Sequence, residues 1–172
     1  MSKICEEKLI IRRIENKDIK AFYELVNYLD LETEFRAFEP GERKQNYLMF
    51  ESEMRERIKS NYIIYICEYD EQQIGYIEGA IGQYNRNKHL IHFNIALKLG
   101  YTGLKIGEKL IIALEDESKK EGISRIELTV FTYNDKAVKL YKKLGYLIEG
   151  IKFNSFKINN NCIDEFLMSK NI

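Results

Sequence analysis

Apolar residues along the chain follow two spacings, one typical of helices and one typical of strands. Apolar side chains recur every three or four residues over positions 16–28, which predicts an amphipathic helix. A second, more charged helix is expected over 42–59, after a turn that contains the only proline, Pro40. Short runs rich in Ile, Leu and Tyr predict strands. These runs cover residues 9–14, 62–69, 73–83, 89–97 and 125–131.

The second half of the chain alternates strands with helices. Helices are expected over 104–121 and 134–144, each directly after a strand. Two final strands flank the asparagine run at 159–161, which is typical of a tight turn. The resulting order, β-α-α-β-β-β-α-β-α-β-β, predicts an α+β fold with helices packed on the faces of a mixed sheet. We expect one domain over residues 1–172.

The segment from Leu97 to Leu110 carries the most informative chemistry. An apolar strand ends at Leu97, a glycine-spaced turn follows, and an amphipathic helix begins at once. The first turn of a helix leaves backbone N–H groups unpaired, and the helix dipole favours negative charge there. Gly103 and Gly107 would let a phosphate-bearing ligand approach the main chain. The pattern predicts an anion site, although a glycine turn by itself also suits an ordinary strand-to-helix connection.

A second segment, residues 127–146, follows about one helix and one strand later. Together the two segments resemble the GNAT superfamily of acyl-CoA-dependent N-acetyltransferases. The first is similar to the family's coenzyme A motif, Q/R-x-x-G-x-G/A, with Thr102 in place of Gln or Arg and Lys105 in place of the first glycine. The second is similar to the family's N-x-x-A-x-x-L-Y-x-x-x-G-F helix, which begins here at Asn134 and ends in Gly145-Tyr146.

The resemblance implies the GNAT fold, a mostly antiparallel sheet of about seven strands flanked by about four helices. It also implies acetyl-CoA as cofactor and transfer of its acetyl group to a primary amine of a small molecule or peptide. Two alternatives stay open. One is acetylation of a protein N-terminus or a ribosomal protein, and the other is non-catalytic binding of acyl-CoA, which the two motif departures keep open.

The resemblance also implies which residues contact the coenzyme. Main-chain groups of the strand before the motif would bind the pantetheine arm, which requires that strand to separate from its neighbour, as a β-bulge would allow. Thr102 can offer a hydroxyl donor, and Lys105 adds a positive charge. The full set implied is Ile95, Ala96, Leu97, Thr102, Gly103, Leu104, Lys105, Ile106, Gly107, Glu108, Asn134 and Tyr141.

Tyr141 is the first candidate for a catalytic side chain. It lies seven residues after Asn134, about two helical turns, so both side chains project from one face of the helix. In GNAT enzymes the tyrosine at this motif position commonly protonates the departing thiolate. Tyr141 could instead pack in the core, and Asn134 could serve only to cap its helix.

The sequence leaves the general base open. Some family members carry a glutamate where this chain has Thr129, which cannot accept a proton at neutral pH. His92, on the preceding strand, has an ordinary pKa suited to the task. Glu78 is a carboxylate inside an apolar strand, where burial would make it a stronger base. Either residue could be structural, and no base is needed if the amine arrives uncharged or water relays its proton.

The acceptor pocket is expected between residues 31–39 and the last hairpin, 153–164. Acidic and aromatic side chains of the first segment would suit a cationic amine, or they could form a solvated acidic loop. Arg36 could instead hold an acceptor carboxylate. Polyamine, amino acid, antibiotic and protein N-terminus therefore all remain open. The acidic and aromatic residues in question are Glu32, Glu34, Phe35, Phe38 and Glu39.

Composition and charge narrow the class of protein. The chain has 172 residues, 45% of them hydrophobic, and 27 basic residues balance 27 acidic ones. A compact enzyme is expected, without the basic excess that would indicate nucleic acid as a partner. No apolar stretch approaches the roughly 20 residues that span a bilayer, and the first residues lack a secretory pattern. We expect a cytoplasmic homodimer with no membrane partner.

The spacing of cysteines and histidines does not predict a metal site. Cys5, Cys67 and Cys162 lie far apart, whereas zinc sites and disulfide frameworks use closely spaced or paired cysteines. His89 and His92 are three residues apart, which on a strand places them on opposite faces. We therefore expect neither a metal nor a disulfide.

Overall fold

The structure, a computed structural model, describes residues 5–172. Within them the element order agrees with the predicted one. The strands are β1 (Leu9–Arg13), β2 (Tyr62–Tyr69), β3 (Gln72–Ile81), β4 (Leu90–Leu97), β5 (Arg125–Phe131), β6 (Leu147–Ile158) and β7 (Asn161–Asn171). The α-helices are α1 (Ile19–Glu32), α2 (Tyr47–Lys59), α3 (Ile106–Lys120) and α4 (Asp135–Lys143).

All four helices begin later than predicted, and for the second and third the structure shows a local cause. The second begins at Tyr47 rather than at residue 42, because Asn46 caps it and its side-chain oxygen accepts the Met49 N–H at 3.0 Å. The third begins at Ile106 rather than at residue 104, because Lys105 is left-handed, with φ 61°. A residue in that region cannot continue a right-handed helix.

The seven strands of the described residues form one mixed sheet in the order β1-β2-β3-β4-β5-β7-β6. Every neighbouring pair is antiparallel except β4 and β5, which are parallel. These two strands pair only from Leu90 to His92, against Arg125 to Glu127, and then diverge. The expected separation is therefore present, but without a bulge, since β4 keeps regular register with β3 as far as Leu97.

Each face of the sheet buries an apolar cluster. Ile91, Leu110 and Ile126 belong to the larger cluster, beneath α3 and α4. Phe22 and Ile66 belong to the other, beneath α1 and α2. Each fully buried side chain of this size contributes about 1.5–3 kcal/mol by leaving water. The helices are thus fixed to both faces, and the gap between β4 and β5 opens at the edge of both clusters. None of the helices between residues 5 and 172 is both long and apolar enough to cross a membrane.

Candidate active site

A cleft of about 1080 Å³ runs through the gap between β4 and β5. One end is lined by the start of α3, at Thr102, Gly103, Lys105 and Gly107. The middle is lined by β4, β5 and α4, and the far end by the loop after α1 and by α2. A cavity of this size, with polar groups at both ends and apolar walls between them, is typical of a small-molecule site.

Lys105 forms the turn into α3 with the backbone that a glycine would adopt. Its φ is 61°, in the left-handed region that glycine enters without strain and other residues rarely occupy. The residue therefore replaces the motif glycine without changing the path of the chain. Because it also lines the cleft, it brings a positive charge to the end of the cleft at which α3 begins.

Of the other residues around the start of α3, some line the cleft and others are buried in the core. Thr102 donates its hydroxyl to the Leu99 carbonyl at 2.9 Å, so that proton stabilises the turn. A Cβ on Gly107 would lie 3.3 Å from Leu140, so this glycine lets α3 pack close to α4. Ile106 is buried in the core and Leu104 packs against it, so neither side chain lines the cleft. Glu108 lines the cleft and is paired with Lys143 at 2.7 Å.

The middle of the cleft brings together β4 and Tyr141. Ile95, Ala96 and Leu97 line it along the edge of β4 that has no strand partner among the described residues. Tyr141 is 6% exposed, and its ring meets that of Phe93 edge-on with centroids 5.9 Å apart. Burial raises the pKa of Tyr141, so the hydroxyl keeps its proton at neutral pH.

Asn134 stands at the start of α4 and has the capping role that its position suggests. Its side-chain oxygen accepts the Ala137 N–H at 3.3 Å. The residue also lines the cleft. The oxygen stabilises the first turn of α4, and the amide N–H₂ group remains available for contacts in the cleft.

The two candidate bases lie in different surroundings. Glu78 lines the cleft, faces Asn94 across the β3–β4 pairing, and accepts a hydrogen bond from Arg57 of α2. His92 does not line the cleft, because it lies where β4 and β5 are still paired, opposite Glu127. Burial lowers the pKa of His92, so its imidazole is neutral at pH 7. The structure thus brings Glu78, and not His92, to the divergent strands.

A third carboxylate in the cleft was not singled out from the sequence. Glu165 of β7 is 5% exposed and accepts a hydrogen bond from Lys152 at 3.2 Å. It lines the cleft because β7 pairs it with Phe131 at the end of β5. That register depends on long-range strand pairing, which no local pattern of the sequence indicates.

At the far end of the cleft the charges differ from the cationic-amine expectation. Glu32, Glu34 and Glu39 do not line the cleft, and Glu32 accepts the Leu99 N–H at 2.8 Å. Arg36 does line it, together with Arg43, which the sequence did not single out. Phe35 and Phe38 also line it. The cleft wall formed by the loop after α1 is therefore aromatic and basic rather than acidic.

Comparison with known sequences agrees with this architecture. Residues 22–146 match the family model described as the acetyltransferase (GNAT) family. The chain is 29% identical over 104 residues to the L-amino acid N-acetyltransferase AaaT of Escherichia coli (strain K12), covering 59% of this chain and 63% of AaaT. It is 35% identical over 74 residues to the thialysine N-epsilon-acetyltransferase of Sus scrofa, covering 42% of this chain and 44% of that enzyme. The chain thus spans less than two thirds of these two relatives.

Solved structures extend the likeness to nearly the whole chain. An acetyltransferase of the GNAT family from Streptococcus pneumoniae superimposes with a TM-score of 0.90 at 28% identity, covering 95% of this chain and 99% of that one. The yncA structure from Salmonella typhimurium, which contains acetyl-CoA, superimposes with a TM-score of 0.83 at 17% identity, covering 95% and 94%. At that lower identity the likeness demonstrates the fold.

The predictions of family and of fold class are therefore confirmed. The family match covers both motif segments, and the seven-stranded mixed sheet with four helices is the fold of the matched structures. The chain belongs to the GNAT family of acetyltransferases, whose acetyl donor is acetyl-CoA.

Proposed function

We propose that the protein transfers the acetyl group of acetyl-CoA to a primary amine of a small molecule or peptide. The observation that carries the proposal is the divergence of β4 and β5 after His92, which leaves an unpaired strand edge along a cleft. A helix start with an added lysine lies at one end of that cleft, and Tyr141 lies in its middle. The cleft would thus join the proposed anion site at the start of α3 to the Tyr141 hydroxyl and to the proposed acceptor site at its far end.

The coenzyme is proposed to lie along this path. Its pyrophosphate would be held by the first N–H groups of α3, near Gly107 and Glu108, with Lys105 beside them. The pantetheine arm would hydrogen-bond the free main-chain edge at Ile95–Leu97. Leu104 and Ile106 would contribute only through their backbone, since their side chains belong to the core. Thr102 would act by holding the turn, and Asn134 by its amide group.

The reaction itself needs few groups. The amine nitrogen attacks the thioester carbonyl carbon, a C–N bond forms, and the C–S bond breaks. The amine gives up a proton and the departing sulfur receives one, so the net reaction yields an amide and the free thiol. Main-chain N–H groups of β4 would stabilise the developing oxyanion, because they are fixed in place before the reaction.

Glu78 is our first candidate for the proton acceptor. It is a carboxylate in the cleft, one strand away from the free edge of β4, and Arg57 holds it in place. His92 remains a second candidate that would need a water relay, since its side chain lies outside the cleft lining. A neutral imidazole can accept a proton, which keeps His92 chemically suitable.

Tyr141 is our candidate for stabilising the leaving sulfur. Its hydroxyl has no hydrogen-bond partner within residues 5–172, and the residue lines the cleft. Its raised pKa means that the proton is present over the whole neutral range. It would donate a hydrogen bond to the thiolate as the C–S bond breaks, in the role that this motif position commonly has in GNAT enzymes.

We also propose that the protein is a cytoplasmic homodimer of one GNAT domain. The three cysteines are free, in keeping with a reducing compartment. Leu147 and Phe153 of β6 are more than two thirds exposed, and exposed apolar side chains on a strand favour association. Analytical ultracentrifugation at micromolar concentration tests the dimer, and a single monomeric species would exclude it.

Two measurements test the proposed activity. Acetyl-CoA should raise the melting temperature by binding the native state, and an amine panel should release free thiol from it. An unchanged melting temperature in millimolar acetyl-CoA would reject the coenzyme assignment. Stabilisation without thiol release from any amine would instead support a non-catalytic acyl-CoA-binding protein.

A further inference from the structure

Two arginines share one buried carboxylate at the far end of the cleft. Asp30, near the end of α1, is 2% exposed. Its Oδ1 accepts a hydrogen bond from Arg36 Nε at 2.5 Å, and its Oδ2 accepts one from Arg43 Nε at 2.6 Å. Both arginines line the cleft, whereas Asp30 lies behind them. Because one negative charge faces two positive charges, this group presents an excess of one positive charge to the cleft.

Several donors of this pair are not used by the protein. Arg36 Nη1 donates to the Tyr76 hydroxyl at 3.0 Å, and Arg43 lies over the Phe38 ring, 4.1 Å from its centroid. In the part of the chain that the structure describes, Arg36 Nη2 and both Nη atoms of Arg43 have no acceptor. The two side chains are only 12% and 15% exposed. These nitrogens are not among the buried atoms without a partner, so they keep contact with solvent and are available to an anion that enters this end of the cleft.

A group of opposite sign lies close by. Arg57 donates hydrogen bonds to both Glu53 and Glu78, so this second group has an excess of one negative charge. Tyr76, which contacts Arg36, and Glu78 are two residues apart on β3. Their side chains therefore project from the same face, with Cα atoms about 7 Å apart. The positive and negative groups are neighbours along one strand.

We infer that the acceptor is a zwitterion of amino-acid type, whose carboxylate binds the free donors of Arg36 and Arg43. The inference rests on the proposed function and specifies its substrate class. A planar carboxylate matches the fork of a guanidinium and completes the charge balance of the Asp30 group. The amine then lies toward Glu78, the carboxylate proposed to take its proton. A polyamine has no carboxylate and would place positive charge beside an excess of positive charge.

The walls next to the arginines favour an apolar side chain on this zwitterion. Phe131 packs against Phe35 with ring centroids 6.5 Å apart and against Phe156 with centroids 5.0 Å apart. All three line the cleft. An aliphatic, thioether or aromatic side chain would bury its surface on these rings without needing a polar partner.

Matched pairs of acceptors test the inference directly. Thiol release from acetyl-CoA would be measured with L-leucine and isoamylamine, L-phenylalanine and phenethylamine, L-methionine and 3-(methylthio)propylamine, and with spermidine. The amine of each pair lacks only the carboxylate. We expect kcat/KM to be about 100-fold or more higher for the best amino acid than for its amine, because the bound amine would displace water from the guanidinium donors without replacing its hydrogen bonds.

Substitution of Arg43 provides a second test of the inference. Arg43→Gln should raise KM for the best amino acid about 10- to 100-fold, with KM for acetyl-CoA unchanged. Arg43→Lys keeps the ion pair with Asp30 but loses the fork, so we expect a smaller rise. If Arg43→Gln does not fold, the KM of Arg43→Lys is measured in its place. The matched control is Arg55→Gln, which removes an arginine of α2 that pairs with Glu51 and does not line the cleft.

The outcomes separate the inference from the proposed function. Equal kcat/KM for an amino acid and its amine, or an unchanged KM in both Arg43 variants, would overturn the inference while leaving acetyl transfer in place. If acetyl-CoA fails to stabilise the protein and no acceptor releases thiol, the proposed function fails and the inference fails with it. A carboxylate preference that Arg43→Gln removes would support both.

Discussion

His92 of β4 and Glu127 of β5 form the last residue pair at which these two parallel strands keep register. The next residues of each strand, from Phe93 and from Leu128, have no partner across the gap. The cleft lies along the part of the two strands that follows this point. Residues beyond it, such as Asn94 and Thr129, line the cleft, and His92 itself does not. On these two strands, therefore, only residues beyond the pair line the cleft.

Glu78→Gln should lower turnover if Glu78 accepts the amine proton. The amide keeps the size and a hydrogen-bond acceptor for Arg57 but cannot take a proton. We expect kcat to fall about 100-fold at pH 7, with little change in acetyl-CoA affinity. The measurement is steady-state thiol release with the best acceptor from the amine panel.

The matched control for Glu78 is Glu53→Gln. Glu53 also accepts a hydrogen bond from Arg57, so its replacement removes the same charge from the same guanidinium. A similar fall in both variants would mean that the loss comes from disturbing Arg57 and not from loss of a base. Unchanged turnover in Glu78→Gln would direct attention to Glu165 or to a water relay.

His92 should influence acid stability more than turnover. Burial lowers its folded-state pKa below the ordinary value near 6.5, so between the two values the unfolded chain binds more protons. The free energy of unfolding should therefore decrease as pH falls below about 6.5, and this contribution should disappear in His92→Gln. Urea unfolding of both proteins at pH 5.5 and 7.5 measures the difference.

A second readout on His92→Gln separates the two candidate bases. If Glu78 is the base, the variant should retain kcat within about twofold of the parent at pH 7.5, because the His92 side chain lies outside the cleft lining. A fall in kcat as large as that of Glu78→Gln would show that His92 takes part in proton transfer through a relay.

The strands were the easiest elements to predict, for a physical reason. The predicted bounds of β2 and β5 agree with the structure, because each is a run of strand-forming residues closed at both ends by turn residues. The start of α2 was missed, since residues 42–46 are polar and favour neither helix nor loop by periodicity. There the start of the helix is set by the Asn46 cap.

The candidate site was predictable only where it is local in sequence. The turn at Lys105 and the helix after Asn134 are continuous motifs, so their types and spacing could be recognised. Arg43 and Glu165 could not, because long-range contacts bring them to the cleft. Arg43 depends on a carboxylate thirteen residues earlier, and Glu165 on the pairing of β7 with β5. Neither contact leaves a periodic signal in the chain.

Lys105 should contribute charge to coenzyme binding and strain to the fold. Lys105→Gly should weaken CoA only mildly, because the helix start remains, and should leave the free energy of unfolding within about 1 kcal/mol, since relief of the left-handed φ offsets the added freedom of the unfolded chain. Lys105→Glu should weaken CoA strongly and dephospho-CoA less. Isothermal titration with both ligands measures these affinities.

The control for Lys105→Glu is Lys88→Glu, an equal change of charge at an exposed position outside the cleft. It should leave both affinities unchanged. If Lys105→Glu, Lys105→Gly and the parent bind CoA equally, the lysine side chain points away from the coenzyme, and only the backbone of the turn contributes.

Tyr141→Phe should affect chemistry more than binding. The substitution removes one hydroxyl and keeps the ring, which packs edge-on against Phe93 and Tyr146. The hydroxyl has no partner among residues 5–172, so its removal leaves no protein group unsatisfied and folding should be retained. If it donates to the leaving sulfur, kcat should fall about 100-fold with acetyl-CoA affinity nearly intact.

Turnover and acetyl-CoA affinity of Tyr141→Phe should be measured on the same preparation, beside Tyr84→Phe, an exposed tyrosine outside the cleft. Use of a thioester with a more acidic thiol sharpens the test, because a better leaving group needs less help from a proton donor. With such a thioester as acetyl donor, the ratio of kcat between the parent and Tyr141→Phe should become smaller. If this ratio of kcat is the same with both thioesters, the hydroxyl positions the coenzyme and does not donate to the sulfur. If Tyr141→Phe leaves turnover unchanged, Tyr141 is only a packed aromatic residue.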